Sequence, residues 1–177
     1  MVGERYMFID QLRILCIEDS KITDEMTDKV IKIKQLYWDY SQEEHKMWLQ
    51  MNINDNEYHL IITGSNEEVI AYLNIVKTSI TYNGVNEEVM GVGNVCVDKK
   101  YSGQGIGQLL MSACNYYLTS FNKRAILMCK SNLISFYEKS GWKKHNGQVY
   151  LKGTDFQGEV MFNKPIGNCE ILIERNF

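Results

Sequence analysis

Residues 95–110 read Val-Cys-Val-Asp-Lys-Lys-Tyr-Ser-Gly-Gln-Gly-Ile-Gly-Gln-Leu-Leu. An apolar, β-branched run gives way to Gly103, Gly105 and Gly107, and apolar residues then return at helical spacing. This is a strand, a tight turn and a helix, and nothing else in the chain constrains the fold as strongly. Glycine lets backbone approach a ligand closely. The free N–H groups of the helix's first turn, with the helix dipole behind them, form an anion site suited to phosphates. The spacing narrows the kind of phosphate site. A P-loop needs Lys-Ser/Thr directly after its last glycine, whereas Gln108 and Leu109 follow Gly107. A dinucleotide fingerprint read from Gly103 and Gly105 needs a glycine where Gln108 stands, and its strand would not come out of a hairpin. A diphosphate held mainly by backbone is what remains.

Periodicity divides the rest of the chain. Residues 12–17 read as a strand. Thr23 caps a helix with an apolar stripe at Met26, Val30, Ile33 and Tyr37, and Ser41-Gln42-Glu43-Glu44 is a capping box for a second helix facing inward through Met47, Trp48 and Met51. Residues 58–63, 69–79 and 85–97 are strand-like, and Asn83-Gly84 marks a type I′ hairpin between the last two. After the glycine turn, Ile106, Leu109, Leu110, Ala113 and Tyr117 define a central helix. Residues 124–129 form a strand apolar enough to be buried on both faces. Ser131 or Asn132 is placed to cap a short helix ending at Gly141, and two or three strands close the chain. The expectation is one α/β (α+β) domain over residues 1–177, with a mixed, mostly antiparallel sheet of about six to eight strands and about four helices.

Composition removes several classes. With 45% hydrophobic residues, 23% charged and a single proline, 177 residues can bury a proper core. A net charge of -3, from 19 basic and 22 acidic residues, argues against nucleic acid or an anionic membrane as the main partner. The five cysteines are widely spaced with no Cys-x-x-Cys pair, so neither a disulfide framework nor a metal site is expected. No apolar run approaches the ~20 residues of a membrane span, and the N-terminus shows no basic-then-apolar leader, so a cytoplasmic location is expected. A homodimer is compatible with the sequence.

With its Val-x-Val strand, the Gly-x-Gly of a Gln/Arg-x-x-Gly-x-Gly/Ala pattern and the following helix, the segment 95–110 resembles the GNAT superfamily of acyl-CoA-dependent N-acetyltransferases, and the likeness covers about residues 58–142. A second stretch, Ser131-Asn132-Leu133-Ile134-Ser135-Phe136-Tyr137-Glu138-Lys139-Ser140-Gly141-Trp142, is similar to that superfamily's Tyr-Glu-Lys-x-Gly-Phe/Trp signature. The resemblance implies acetyl-CoA as cosubstrate, without metal. Val95, Cys96 and Val97 would face the pantetheine, and Ser102, Gly103, Gln104, Gly105, Ile106, Gly107 and Gln108 the pyrophosphate. Asn132, Phe136 and Lys139 would also touch CoA. Ser102 departs from the usual Arg or Gln, which weakens a contact otherwise made by backbone. Tyr137 takes the role of the acid that meets the leaving thiolate, chemistry a phenol of pKa ~10 can perform.

The base and the acceptor are less constrained. Where many members carry a Glu, two residues before Val95, this chain has Gly93; the nearest upstream carboxylates are Glu87 and Glu88, with Glu88 the candidate base, and His59 and His145 are alternatives. Residues 83–84, 95–105 and 137–142 and the long strand-rich tail also resemble aminoglycoside 2′-N-acetyltransferases. That implies a small-molecule amine acceptor, such as an amino sugar, read by acidic groups: Asp39, Glu43, Glu44, Asp155, Glu159 or the Phe177 carboxylate. Tyr37, Trp38, Tyr40 and Trp48 could line its pocket. A protein, peptide or aminoacyl-tRNA acetyltransferase, or a CoA-binding module without catalysis, would share the same motifs.

Overall fold

The computed structural model describes residues 12–154 and 156–177. Nine strands among them form one sheet. The first elements are β1 (Arg13–Glu18), α1 (Asp24–Lys34), α2 (Gln42–Asn52), β2 (Tyr58–Thr63), β3 (Val69–Tyr82) and β4 (Val85–Val97). They are followed by α3 (Ile106–Phe121), β5 (Ala125–Cys129), α4 (Ile134–Glu138), β6 (Lys143–Lys144), β7 (Val149–Leu151), β8 (Glu159–Phe162) and β9 (Ile171–Ile173). The sheet runs β1-β2-β3-β4-β5-β8-β6, with β9 beside the far end of β3 and β7 beside β9. Pairing is antiparallel except at β4–β5 and β7–β9.

The local signals explain most of this. Thr23 accepts a hydrogen bond from the Met26 N–H, and the Ser41–Glu44 capping box is complete in both directions, satisfying backbone donors that would otherwise be orphaned at each helix start. Asn83 and Gly84 both take positive φ (49° and 74°), as a type I′ turn requires, and Tyr82 pairs with Val85 across it. Strand alternation then sorts the core. Leu60 and Ile62 of β2 pack with Met90, Val92, Leu110 and Trp142 on the α3 side, whereas Ile61 packs with Val30, Ile33, Tyr72 and Cys96 on the α1 side. A third cluster joins Leu49 and Ile53 to Val89, Ile126, Ile171 and Phe177.

Three sequence expectations change. The inward face of α2 is His45 and Leu49 with half-buried Trp48, while Met47 and Met51 are exposed, so the helix is rotated from the expected stripe. The strands number nine, one beyond the expected range, because β6 is two residues long, too short to show a period, whereas β7, β8 and β9 fall on the expected closing strands. The chain enters α4 through a 3₁₀ turn at Ser131–Leu133 with no side-chain cap, since the Ser131 hydroxyl donates to Glu159 instead.

Candidate active site

The glycine turn leaves β4 through one 3₁₀ turn at Lys99–Tyr101, held by the Asp98 carboxylate accepting from the Lys100 N–H at 2.9 Å. Gly103 and Gly105 take φ of +77° and +83°, and space is open where their side chains would be, so the backbone there is bare. Leu109 N–H donates to Gly105 C=O at 2.9 Å. The N–H groups of Ile106, Gly107 and Gln108 therefore precede the first helical bond of α3 and stay available to an anion. Gly107 packs closely: a Cβ there would lie 3.0 Å from the Phe136 ring and 3.7 Å from Val97. Gln108 does not reach outward. Its amide donates to Phe136 C=O at 3.0 Å and accepts from the Ser140 hydroxyl at 2.7 Å, locking α3 to α4.

That lock places Tyr137. Asn115 of α3 donates to Ser140 C=O and accepts from the fully buried Trp142 indole, and Gly141 turns at φ +87°. Tyr137 is thereby buried beside the α3 core, and burial pushes its phenol well above the ordinary value, with the Cys129, Cys96 and Cys114 thiols adding to the effect.

Strand β4 carries the third part. It pairs with β5 at Met90–Ala125, Gly91–Ile126 and Val92–Leu127, and beyond that point the two parallel strands have no further register, while β5 stays bonded to β8 as far as Cys129. At the parting, Asn94 adopts φ +52° and the β3–β4 register shifts, a bulge that takes backbone groups out of the ladder. The Asn94 amide donates to Asn74 Oδ1 at 2.6 Å. Gly93 has no room for a side chain: a Cβ would meet the carbonyl carbon of Phe177 at 2.6 Å, and at Gly91 it would meet the Phe177 ring at 2.7 Å. The last residue thus fills the place a β4 side chain would take.

From this opening a cavity of about 630 Å³ extends toward α1 and α2, with Trp38, Trp48, Asn94, Met128, Phe156 and Phe177 among its walls and Tyr40 and Glu44 at its side. Tyr37 is half exposed outside it and donates its hydroxyl to Val97 C=O at 2.5 Å. The Cys96 side chain turns the other way, into the α1 core, where burial pushes its thiol up to about 12 against the pull of Lys34. Ser102, Gln104, Asn132 and Lys139 are exposed around the turn and α4.

Several predicted residues are not brought here. Glu88 lies at the hairpin end of β4, ion-paired with Lys123. Glu159 is held by Lys144 at 2.8 Å and by the Ser131 hydroxyl, contacts that lower its pKa. His59 is buried between Asp19 and Tyr72, and His145 bonds Cys169 C=O at 2.9 Å. Asp39 and Glu43 are exposed, and Asp155 lies outside the described residues. The polar wall residues Lys34, His45, Thr154, Gln157 and Asn176 were missed, and for Lys34 and His45 a signal existed. Each of these two falls four residues from an apolar position of its helix, Val30 and Leu49, so a polar residue on the apolar stripe was the available signal.

Comparison with known proteins agrees with this geometry. A family model described as an acetyltransferase (GNAT) domain matches residues 23–159. No curated protein matches the sequence. Among solved structures, YhbS of Escherichia coli in complex with CoA is similar at TM-score 0.64 and 18% identity, over 94% of this chain and 91% of that one. ElaA of Escherichia coli gives 0.63 and 17%, over 86% and 98%. The PaiA N-acetyltransferase of Thermoplasma acidophilum, in complex with coenzyme A, gives 0.57 and 16%, over 88% and 99%.

Proposed function

The chain belongs to the GNAT acetyltransferase family, and from that premise we propose that it moves the acetyl group of acetyl-CoA to a primary amine of a small molecule, by direct attack in a ternary complex. The observation that carries this reading is the parting of β4 from β5 after Val92–Leu127, on the strand that leads into the bare N-terminus of α3; Tyr137 is buried in the core cluster that also holds Val92. The residues present fit acetyl-CoA: Gly103 and Gly105 leave an open backbone cradle, and the α3 amides face it.

In this reading the turn 103–108 takes the pyrophosphate and the backbone of Val95–Val97 pairs with the pantetheine arm, which brings the thioester to the parting. Phe136 supports the cradle from beneath Gly107 rather than touching the ligand. The amine enters from the aromatic cavity after giving its proton to solvent. Its lone pair forms the C–N bond at the thioester carbonyl, the tetrahedral adduct collapses, and the C–S pair leaves on sulfur. Tyr137 supplies the hydrogen bond or proton to that sulfur, and the proton that the nitrogen sheds on becoming an amide passes to solvent, from which any phenolate formed is reprotonated. The raised pKa of Tyr137 keeps the phenol protonated at neutral pH, the form the role needs. Glu88, tied to Lys123, has no part in this scheme. An amino-sugar acceptor, implied by the tail's resemblance, would want several carboxylates in the cavity. Among the described wall residues the acidic groups are the Phe177 carboxylate and Glu44, and Glu44 is committed to the Ser41 N–H at 2.8 Å.

The test is thiol release from acetyl-CoA against a panel of amines, with the product checked for one added acetyl mass. Release with at least one amine supports the reading; absence of both release and acetyl-CoA binding contradicts it.

A further inference from the structure

Among the described residues, the acceptor cavity holds a buried cation with no ion-paired partner. Lys34, the last residue of α1, is 2% exposed, and its Nζ sits 4.3 Å from the Trp48 ring centroid and 5.9 Å from that of Trp38. All three residues line the cavity with Asn94 and Phe177. Among the described residues no carboxylate pairs with the ammonium and no oxygen accepts from it. Burial holds its pKa down at about 8, and the one group pulling it back is the Cys96 thiol.

Among the described residues the groups around it form no ion pair with it, the Phe177 carboxylate in the same wall included. From α2 it faces His45, whose pKa is lowered by burial and further by Lys34 itself, so the imidazole is neutral; its Nε2 meets Trp38 C=O at 3.2 Å. From β2 the buried His59 is likewise kept neutral, and its contact is with Asp19 on the far side. From β4 it faces Cys96, a thiol rather than a thiolate. The Glu44 carboxylate caps its own helix. Burying an unpaired ammonium costs several kcal/mol, of which aromatic faces return only about 1–2 kcal/mol. A well-packed Met would be cheaper at this position if stability were all that mattered.

We propose that Lys34 is the acceptor's anion anchor, so that the amine substrate carries a carboxylate and an apolar body: an amino-acid-like molecule whose carboxylate meets Lys34 between Trp38 and Trp48. The inference rests on the acetyl-transfer reading of the same cleft. The apolar body suits Trp48, Met128, Phe156 and Phe177, and the amine end points toward Asn94, where β4 and β5 part. A polycation is disfavoured because a second ammonium would sit against the first at low dielectric.

The test compares matched pairs by thiol release: apolar α- and ω-amino acids against their primary amides, for wild type, Lys34→Met and Lys34→Arg. Wild type is expected to favour the acid by about ten- to a hundredfold in kcat/KM. Lys34→Met should bring the acid-to-amide ratio to about one with acetyl-CoA affinity unchanged, and Lys34→Arg should restore part of it. A binding readout stands apart from turnover: 3-phenylpropionate should quench the tryptophan emission of wild type and not of Lys34→Met, and 3-phenylpropanamide should quench neither. Equal kcat/KM for acid and amide in wild type, or an acid-to-amide ratio untouched by Lys34→Met, would overturn the anion anchor and leave acetyl transfer standing. Phenylpropionate binding that depends on Lys34, without thiol release from any amine, would support the anchor and fail the acetyl-transfer reading.

Discussion

At the scale of single residues the proposed chemistry rests on Tyr137 and Gly105. Tyr137→Phe removes the only proton the phenol can offer and leaves the ring in its packing site, so turnover is expected to fall by about ten- to a thousandfold. Acetyl-CoA affinity, measured by calorimetry, should stay close to wild type. The sign of its pH dependence follows from burial: a raised phenol pKa places the loss of the acid above the ordinary value of 10.0, so kcat should show no alkaline fall below about pH 10 from this group. Gly105→Glu would push a carboxylate into the diphosphate cradle, and acetyl-CoA binding should be lost. Because φ there is +83°, Gly105→Asn is the companion variant, since Asn tolerates that region; it should bind acetyl-CoA measurably. Gly93 is a different case. Ala there would overlap Phe177 at 2.6 Å, and a stability loss of about 1–3 kcal/mol is expected in urea unfolding.

Between elements, the tail is what shapes the acceptor side, and it is pinned by one buried pair. Glu57, 1% exposed, accepts from the backbone N–H of Asn54 and Lys77 and from the guanidinium of Arg175, which also bonds Asn52 C=O. Arg175→Met leaves that carboxylate without its cation and should cost about 3 kcal/mol. It should also raise the acceptor KM more than that of acetyl-CoA, because Phe177 and Asn176 lie two residues or fewer from the pin. The elements legible in the sequence were those with a strong local signal: the Asn83-Gly84 hairpin, the Ser41 capping box, β2 and β4, and the glycine turn. The rotation of α2 was not legible, because its Met47, Trp48 and Met51 stripe competes with a nearly equal His45 and Leu49 stripe, and tertiary contact decides. The parting of β4 from β5 was not legible either. It depends on a bulge at Asn94 that only long-range pairing with β3 reveals, and the filling of Gly93 by a residue 84 positions later has no local trace.

At the scale of the whole molecule, the three histidines all have pKa values lowered by burial from 6.5. Above about pH 6.5 both folded and unfolded states keep them neutral. Below it the unfolded chain takes up protons that the fold refuses, so stability is lost as pH falls from 6.5 through the lowered folded values. The melting temperature should therefore drop between about pH 7 and pH 5, before the carboxylates of Glu44 and Glu159, whose pKa values are lowered from 4.5, begin to contribute. A flat melting profile across that interval would contradict neutral burial of the three rings. In the proposed function one cleft, opened where β4 leaves β5, joins a diphosphate cradle, a protonated phenol and an aromatic acceptor cavity. The most direct measurement is thiol release from acetyl-CoA by wild type and Tyr137→Phe over an amine panel, with mass analysis of the products. The account predicts acetylated product and matching thiol for wild type, with the rate cut by about ten- to a thousandfold in the variant. Equal rates for the two proteins, or no thiol from any amine, would contradict it.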